Sequence, residues 1–226
     1  MKKELKICGK TVEIFRTDPT SKPVPAVVLN TYEKEGGSVY EKCLEMTGED
    51  FLLIAVSDLD WDSDTTPWQA ENAFGGGCYG GRADDYIKEL AEEIVPKALS
   101  ASDSETSCLA IAGYSLGGLL AIYSLYKTDI FDRAASASGS FWYPGFIDYA
   151  KGEKLRRIPQ RLYFSLGDRE SNVKNSVLRT VGENTLLLKD YYEKIGIFSE
   201  YFENEGNHFK DADLRTAKAI CRIIEK

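Results

Sequence analysis

Between Leu5 and Glu203 the chain alternates short β-branched or apolar runs with stretches of helical period. ELKIC, TVEIF, AVVLN, FLLIAVS, CLAIAG, RAASAS, RLYFSLG and FSEYFE are short, rich in side chains that suit a pleated surface, and bounded by turn residues, so they predict eight strands. The first two are joined at Gly9 and Lys10, which predicts a hairpin at a sheet edge. From residue 25 onward helical patterns separate the runs, among them Tyr86, Leu90, Ile94 and Ala98 at spacing four and a segment from Leu186 to Ile195. A hairpin followed by βαβ units gives an α/β architecture: a mostly parallel eight-stranded sheet, helices on both faces and an antiparallel N-terminal edge. No repeat, low-complexity block or long Gly/Ser/Pro linker divides the pattern, so residues 1–226 are expected to form a single domain.

One connection breaks the rhythm. The segment at about 58–81, DLDWDSDTTPWQAENAFGGGCYGG, has no clear period, and connections of that length inside compact domains serve as binding loops or lids. It carries Trp61, Trp68, Phe74 and Tyr79, so it is expected to wall a pocket; a surface loop pinned down by its own aromatics is the other reading. Its acidic run, Asp58, Asp60, Asp62 and Asp64, invites a calcium reading that the turn chemistry rejects. With Asp60 as the first ligand, Thr65 stands where an EF-hand needs Gly, Pro67 follows two residues later, and no helix-loop-helix pattern surrounds it. Gly75, Gly76 and Gly77 lack the following Lys-Ser/Thr of a phosphate loop.

Composition narrows the chemistry. The 226 residues are 43% hydrophobic and 28% charged, enough apolar side chain for a packed core and unlike a disordered chain. Against 28 Lys and Arg stand 36 Asp and Glu, a net charge of -8 that repels nucleic-acid phosphates. No stretch approaches about 18 uninterrupted apolar residues, and MKKELKICGK lacks a signal-peptide run, so no membrane association is expected. The 5 cysteines are odd in number, scattered and never in CxxC, which suits a reduced, cytoplasmic setting. A single histidine excludes multi-histidine zinc sites and HExxH peptidases, so any imidazole chemistry belongs to His208. No metal or organic cofactor is called for.

The strongest local signal is CLAIAGYSLGGLLAIYSLY, where Ser115 sits in GxSxG between an apolar strand and a helix. That order describes a nucleophile elbow: a sharp turn that strains Ser115 and needs Gly113 and Gly117 for close packing, with Gly118 extending it. The helix N-terminus then lies under the serine, and the Leu116 amide can face an oxyanion. The second donor is expected from the loop after AVVLN, as the amide of Thr31 or Tyr32. A serine hydroxyl needs a base, and His208 falls between the last strand and the final helix, the chain-order position of a triad histidine. The acid is expected after RLYFSLG, where DRES offers Asp168 and Glu170. Trp142 and Tyr143, in FWYP after the strand that follows the elbow, join Trp61 and Trp68 as candidate substrate-binding residues, with a core role as the alternative.

GYSLGG, SLGDRE, GNHF and DWDSDTTPW together resemble the α/β-hydrolase superfamily, and within it the putative esterase family that includes enterochelin esterases and esterase D. The resemblance covers about residues 23 to 225. It implies the α/β-hydrolase fold and a serine carboxylic ester hydrolase acting on a small-molecule ester, with Ser115 as nucleophile and His208 as base. A GxxD/E pattern counted from Gly167 implies Glu170 as acid, with Asp168 as the alternative. VLNTYE departs from the family pattern, lacking the HG or HGGG of many esterases. A catalytically silent binding protein on the same fold and an acyltransferase using the same serine are the competing functions, and the residues fix neither the physiological ester nor the oligomeric state.

Overall fold

The computed structural model describes residues 2–17 and 22–225. All eight expected runs form strands of one sheet. In chain order the strands are β1 (Lys2–Ile7), β2 (Lys10–Arg16), β3 (Val24–Asn30), β4 (Leu52–Ser57), the short β5 (Ala70–Glu71) and β6 (Cys78–Tyr79), then β7 (Thr106–Tyr114), β8 (Arg133–Ala137), β9 (Arg161–Gly167) and β10 (Ser199–Asn204). The large sheet runs β1-β2-β4-β3-β7-β8-β9-β10. Only β2 opposes its neighbours; every pair from β4 to β10 is parallel. The edge hairpin turns one residue earlier than its sequence suggests, because Lys10 already pairs with Ile7 and the two turn residues are Cys8 and Gly9. Both have positive φ, 51° and 77°, as a two-residue hairpin whose twist matches its strands requires.

The helices are α1 (Gly36–Met46), α2 (Trp61–Asp64), α3 (Ala83–Glu89), α4 (Val95–Ser102), α5 (Leu116–Ser124), α6 (Phe146–Gly152), α7 (Val181–Lys194) and α8 (Ala212–Ile224). They cover both faces. Helices α1 and α8 pack on the side of Val27, Leu29, Leu53 and Ala112, and α3 to α7 on the side of Ala26, Val28, Ile54 and Ile111. β3 is buried at every position, as expected of a parallel strand covered on both faces. Helix α5, whose nine residues are all buried, lies under the centre of the sheet. Among the described residues no helix is long and apolar enough to cross a membrane.

The spacing of Tyr86, Leu90, Ile94 and Ala98 has a local cause. On a regular α-helix, steps of four residues drift around the axis by roughly 40° each. Here a π-helical turn, Leu90–Ile94, joins α3 to α4, and this wider turn keeps all four side chains in the core. Tyr86 then donates its hydroxyl to the Asn30 side chain at the end of β3, fixing this helix beside the carboxyl edge of the sheet. The 58–81 connection is not structureless: it folds as α2 followed by the β5/β6 ribbon, and Gly75, Gly76 and Gly77 take positive φ in that ribbon's turn.

Candidate active site

The end of β7 and the start of α5 meet at Ser115, which adopts φ 57° and ψ -122°, a conformation that side chains rarely occupy. Backbone hydrogen bonds on both its amide and its carbonyl hold it there. Its amide donates to Ala137 at 3.1 Å, and its carbonyl accepts the amides of Gly118 at 3.0 Å and Ser140 at 3.1 Å. A Cβ on Gly113 would overlap the Gly117 carbonyl, and one on Gly118 would lie 2.7 Å from Ser136 Oγ, so both positions need glycine for the turn to close. Ser140 Oγ lies 3.3 Å from Ser115 Oγ.

His208 stands on the loop between β10 and α8. Its Nε2 is 3.0 Å from Ser115 Oγ and its Nδ1 is 2.7 Å from Glu170 Oε2. Tyr114, the last residue of β7, donates its hydroxyl to the His208 carbonyl at 2.6 Å, which ties the histidine loop to the strand that carries the serine. The Glu170 side chain is almost wholly buried. Its Oε1 accepts the Gly167 amide at 2.7 Å, the Ser138 hydroxyl at 2.7 Å and Arg215 Nη1 at 2.9 Å. Burial alone would push this carboxyl up, but the hydrogen bond and charge of His208, with Ser138 and the Gly167 amide, outweigh it and hold Glu170 below the usual carboxylate range.

Of the two acids offered by DRES, the structure brings Glu170 to the imidazole and Asp168 elsewhere. After Gly167 the chain turns, with the Glu170 amide donating to the Gly167 carbonyl at 3.1 Å, and this swings the two carboxylates apart. Asp168 Oδ1 accepts the Gly206 amide at 2.6 Å. The Asp168 amide reaches Asn204 and the Arg169 amide reaches Gly206, so Asp168 fastens the loop after β9 to the loop that carries His208.

The oxyanion side needs one correction. Leu116 opens α5, so its amide has no carbonyl four residues back to bond, and the residue lines the cavity at Ser115. Thr31 cannot serve as the second donor, because its amide is already spent on the Val56 carbonyl at 2.9 Å, extending the β3–β4 ladder by one bond. Tyr32, one residue past that ladder, also lines the cavity and is the position left of the two expected.

A cavity of about 600 Å³ opens beside Ser115 and His208. Trp61, Phe74, Tyr79 and Trp142 supply aromatic lining, and Leu29 and Val39 add aliphatic lining. Its rim is set by rings that remain mostly in solvent, Tyr32 at 63%, Phe74 at 67% and Phe209 at 82% exposure. Trp68 and Tyr143 do not line it, contrary to expectation. The Trp68 indole N–H donates to the Pro144 carbonyl at 3.0 Å and its ring packs against Tyr123, Tyr143 and Tyr149, while the Tyr143 hydroxyl donates back to the Trp68 carbonyl. The 58–81 segment thus sends Trp61 to the cavity and Trp68 into the core.

Residues that sequence reasoning missed are Phe209, Ser138 and Arg215. Arg215 had a readable signal. It sits on the same stripe of α8 as Ala219 and Ile223, and a cation on an apolar stripe must find a buried partner.

The chain matches the family described as Putative esterase over residues 38–201. It is 24% identical over 166 residues to the Uncharacterized protein YbbA of Bacillus subtilis (strain 168), an alignment that spans 68% of this chain and 66% of that protein. In three dimensions it resembles the siderophore hydrolase EstB from Aspergillus nidulans, with a TM-score of 0.76 at 18% identity over 100% of this chain and 94% of that one. The enterochelin esterase from Shigella flexneri gives a TM-score of 0.73 at 18% identity, covering 98% of this chain and 57% of that one. At such identities the likeness establishes the α/β-hydrolase fold.

Proposed function

Because this chain belongs to the putative esterase family, we propose that it hydrolyses small-molecule carboxylic esters through an acyl-Ser115 intermediate. The reading rests on one unbroken line of contacts, Ser115 Oγ to His208 Nε2 at 3.0 Å and His208 Nδ1 to Glu170 Oε2 at 2.7 Å.

Glu170, ionised and able only to accept, selects the tautomer with the proton on Nδ1 and leaves Nε2 free to take the serine proton. As Ser115 Oγ attacks the ester carbonyl, its proton passes to Nε2 and the carbonyl oxygen becomes an oxyanion. The Leu116 and Tyr32 amides donate to that oxygen, each worth about 3 kcal/mol when such a donor is removed. Collapse breaks the bond to the alcohol oxygen, which leaves with the Nε2 proton. Water, deprotonated by the same nitrogen, then attacks the acyl carbonyl; its hydroxyl becomes part of the acid and the proton returns to Ser115. The cavity volume suits a small organic ester. In this reading the chain acts as one domain in a reducing compartment, consistent with five free thiols.

The test is covalent labelling. A fluorophosphonate probe is expected to modify Ser115 alone, and Ser115→Ala to abolish both labelling and ester turnover. A folded protein that takes no label, or a Ser115→Ala variant that labels and turns over unchanged, would sink the reading.

A further inference from the structure

The acidic run in the 58–81 segment is mostly neutralised. Asp58 pairs with Lys6 at 2.8 Å, Asp60 with Arg82 at 3.3 Å, and Asp64 with both Lys10 and Arg82. Asp62 is the exception: it has no basic partner among the described residues, accepts only the Asn72 side-chain amide at 3.4 Å, and lines the cavity beside Ser115. Glu35 lines the same cavity and is likewise without a cation, its Oε2 accepting the Glu33 amide at 3.0 Å. Burial raises the Glu35 carboxyl above its ordinary value, the expected cost of a half-buried carboxylate with no positive charge beside it. A third lining carboxylate, Asp213, is shared between the Ser38 hydroxyl and Lys42 at 3.8 Å. Among the described residues no Lys or Arg lines this space.

The rest of the wall is aromatic. Tyr32 meets the Trp61 ring edge-on at 5.5 Å and Phe74 meets Trp142 at 6.0 Å. Ring faces carry the negative end of the aromatic quadrupole, and a cleft lined by charge of one sign concentrates ions of the other. Carboxylates without cationic partners and the aromatic lining therefore both favour a cation that enters.

We infer that the Ser115 cavity selects esters bearing a positively charged ammonium group, drawn in by Asp62 and Glu35 and received against the rings of the Trp61 and Phe74 wall. The inference rests on the acyl-Ser115 reading for its chemistry and adds the substrate class. Esters carrying a carboxylate or phosphate are disfavoured by the same charges.

A matched pair isolates the charge: butyrylcholine and 3,3-dimethylbutyl butyrate have nearly the same shape and differ in a quaternary nitrogen replaced by carbon. At low ionic strength kcat/KM for the cationic ester is expected to exceed that for the neutral one by about tenfold, and added salt shrinks the ratio. Asp62→Asn and Glu35→Gln are each expected to cut the ratio by about threefold, whereas Glu45→Gln, a loss of the same charge on the exposed side of α1, leaves it in place. A ratio near one, or a ratio that both cavity substitutions leave unchanged, overturns the inference while hydrolysis of the neutral ester keeps the acyl-serine reading. If neither ester turns over, choline and 3,3-dimethylbutanol are compared by quenching of tryptophan fluorescence. Equal affinities overturn the inference, tighter choline binding supports it, and absent fluorophosphonate labelling separately removes the acyl-serine reading.

Discussion

Arg215 and Glu170 form an ion pair of 2.9 Å with only 2% of either side chain exposed, and this pair occupies the carboxylate oxygen that His208 does not use. Arg215 also reaches the Tyr114 hydroxyl, the Ser138 hydroxyl and the Glu205 carbonyl, so one guanidinium fork ties α8 to the serine strand, the loop after β8 and the histidine loop. Removing one member of a buried pair leaves the other charge uncompensated and costs about 3–5 kcal/mol. Arg215→Met is therefore expected to lose stability of that order in urea denaturation, with a fall in kcat for ester hydrolysis that exceeds any change in KM. Arg215→Lys keeps the charge but not the fork and should lie between. Wild-type stability and kcat in Arg215→Met would mean that Glu170 needs no counter-charge.

The two acids of DRES should separate cleanly. Glu170→Gln replaces the acceptor for the His208 Nδ1 proton with an amide that can present the wrong group, a change that in a triad lowers kcat by on the order of 10⁴. Asp168→Asn retains an oxygen for the Gly206 amide, so it is expected to stay within about tenfold of wild type. Steady-state kinetics on one aryl ester with both folded variants decides the matter; a larger loss in Asp168→Asn would reverse the assignment.

Acid should expose the Glu170 environment. Folded Glu170 titrates below its ordinary value, while the unfolded chain titrates near about 4.3. As pH falls the unfolded state therefore binds the proton first. The stability from this group is complete above the unfolded value and disappears as pH drops through the lower folded value. Glu170→Gln has no such proton to bind. Its stability is expected to be lower than wild type at about pH 6, with the gap narrowing towards about pH 3. Parallel stability curves across that range would contradict the arrangement.

What the sequence disclosed follows from what is local. β3, β4 and β9 could be read because buried parallel strands are continuous apolar runs, β1 because an edge strand alternates, and the elbow because Gly113, Ser115 and Gly117 encode a backbone conformation in five residues. His208 was accessible by elimination, since the chain holds one histidine. The hairpin turn was misplaced by one residue, a local slip, whereas the errors at the site are questions of tertiary position. Thr31 was a reasonable donor until β4 proved long enough to take its amide at Val56. Tyr143 and Trp142 are adjacent and chemically alike, and Tyr79 of β6 packs against both, yet Trp142 lines the cavity while Tyr143 gives its hydroxyl to the Trp68 carbonyl.

The two tryptophans of the 58–81 segment carry the sharpest form of that distinction. Trp61 lines the cavity, packs edge-on against exposed Tyr32, and lies over Gly117 at the start of α5. It is half-buried against the core and meets one aromatic ring where Trp68 meets three, so Trp61→Ala is expected to cost less thermal stability than Trp68→Ala while changing the order of kcat/KM among esters of different acyl and alcohol size. Trp68 is embedded among Tyr123, Tyr143 and Tyr149 and satisfies the Pro144 carbonyl, so its truncation removes packing and leaves a space that three phenol rings cannot close together. Deleting a large aromatic from such a site typically costs about 3–5 kcal/mol, and partial exposure of Trp68 puts the expectation near the lower end. Trp68→Ala should therefore lower Tm substantially and, in the fraction that remains folded, reduce turnover of every ester by a similar factor. Melting curves together with a panel of acetyl, butyryl and aryl esters distinguish the outcomes. A selective shift of substrate preference in Trp68→Ala, or a large loss of Tm with unchanged preference in Trp61→Ala, would exchange the roles of the two residues.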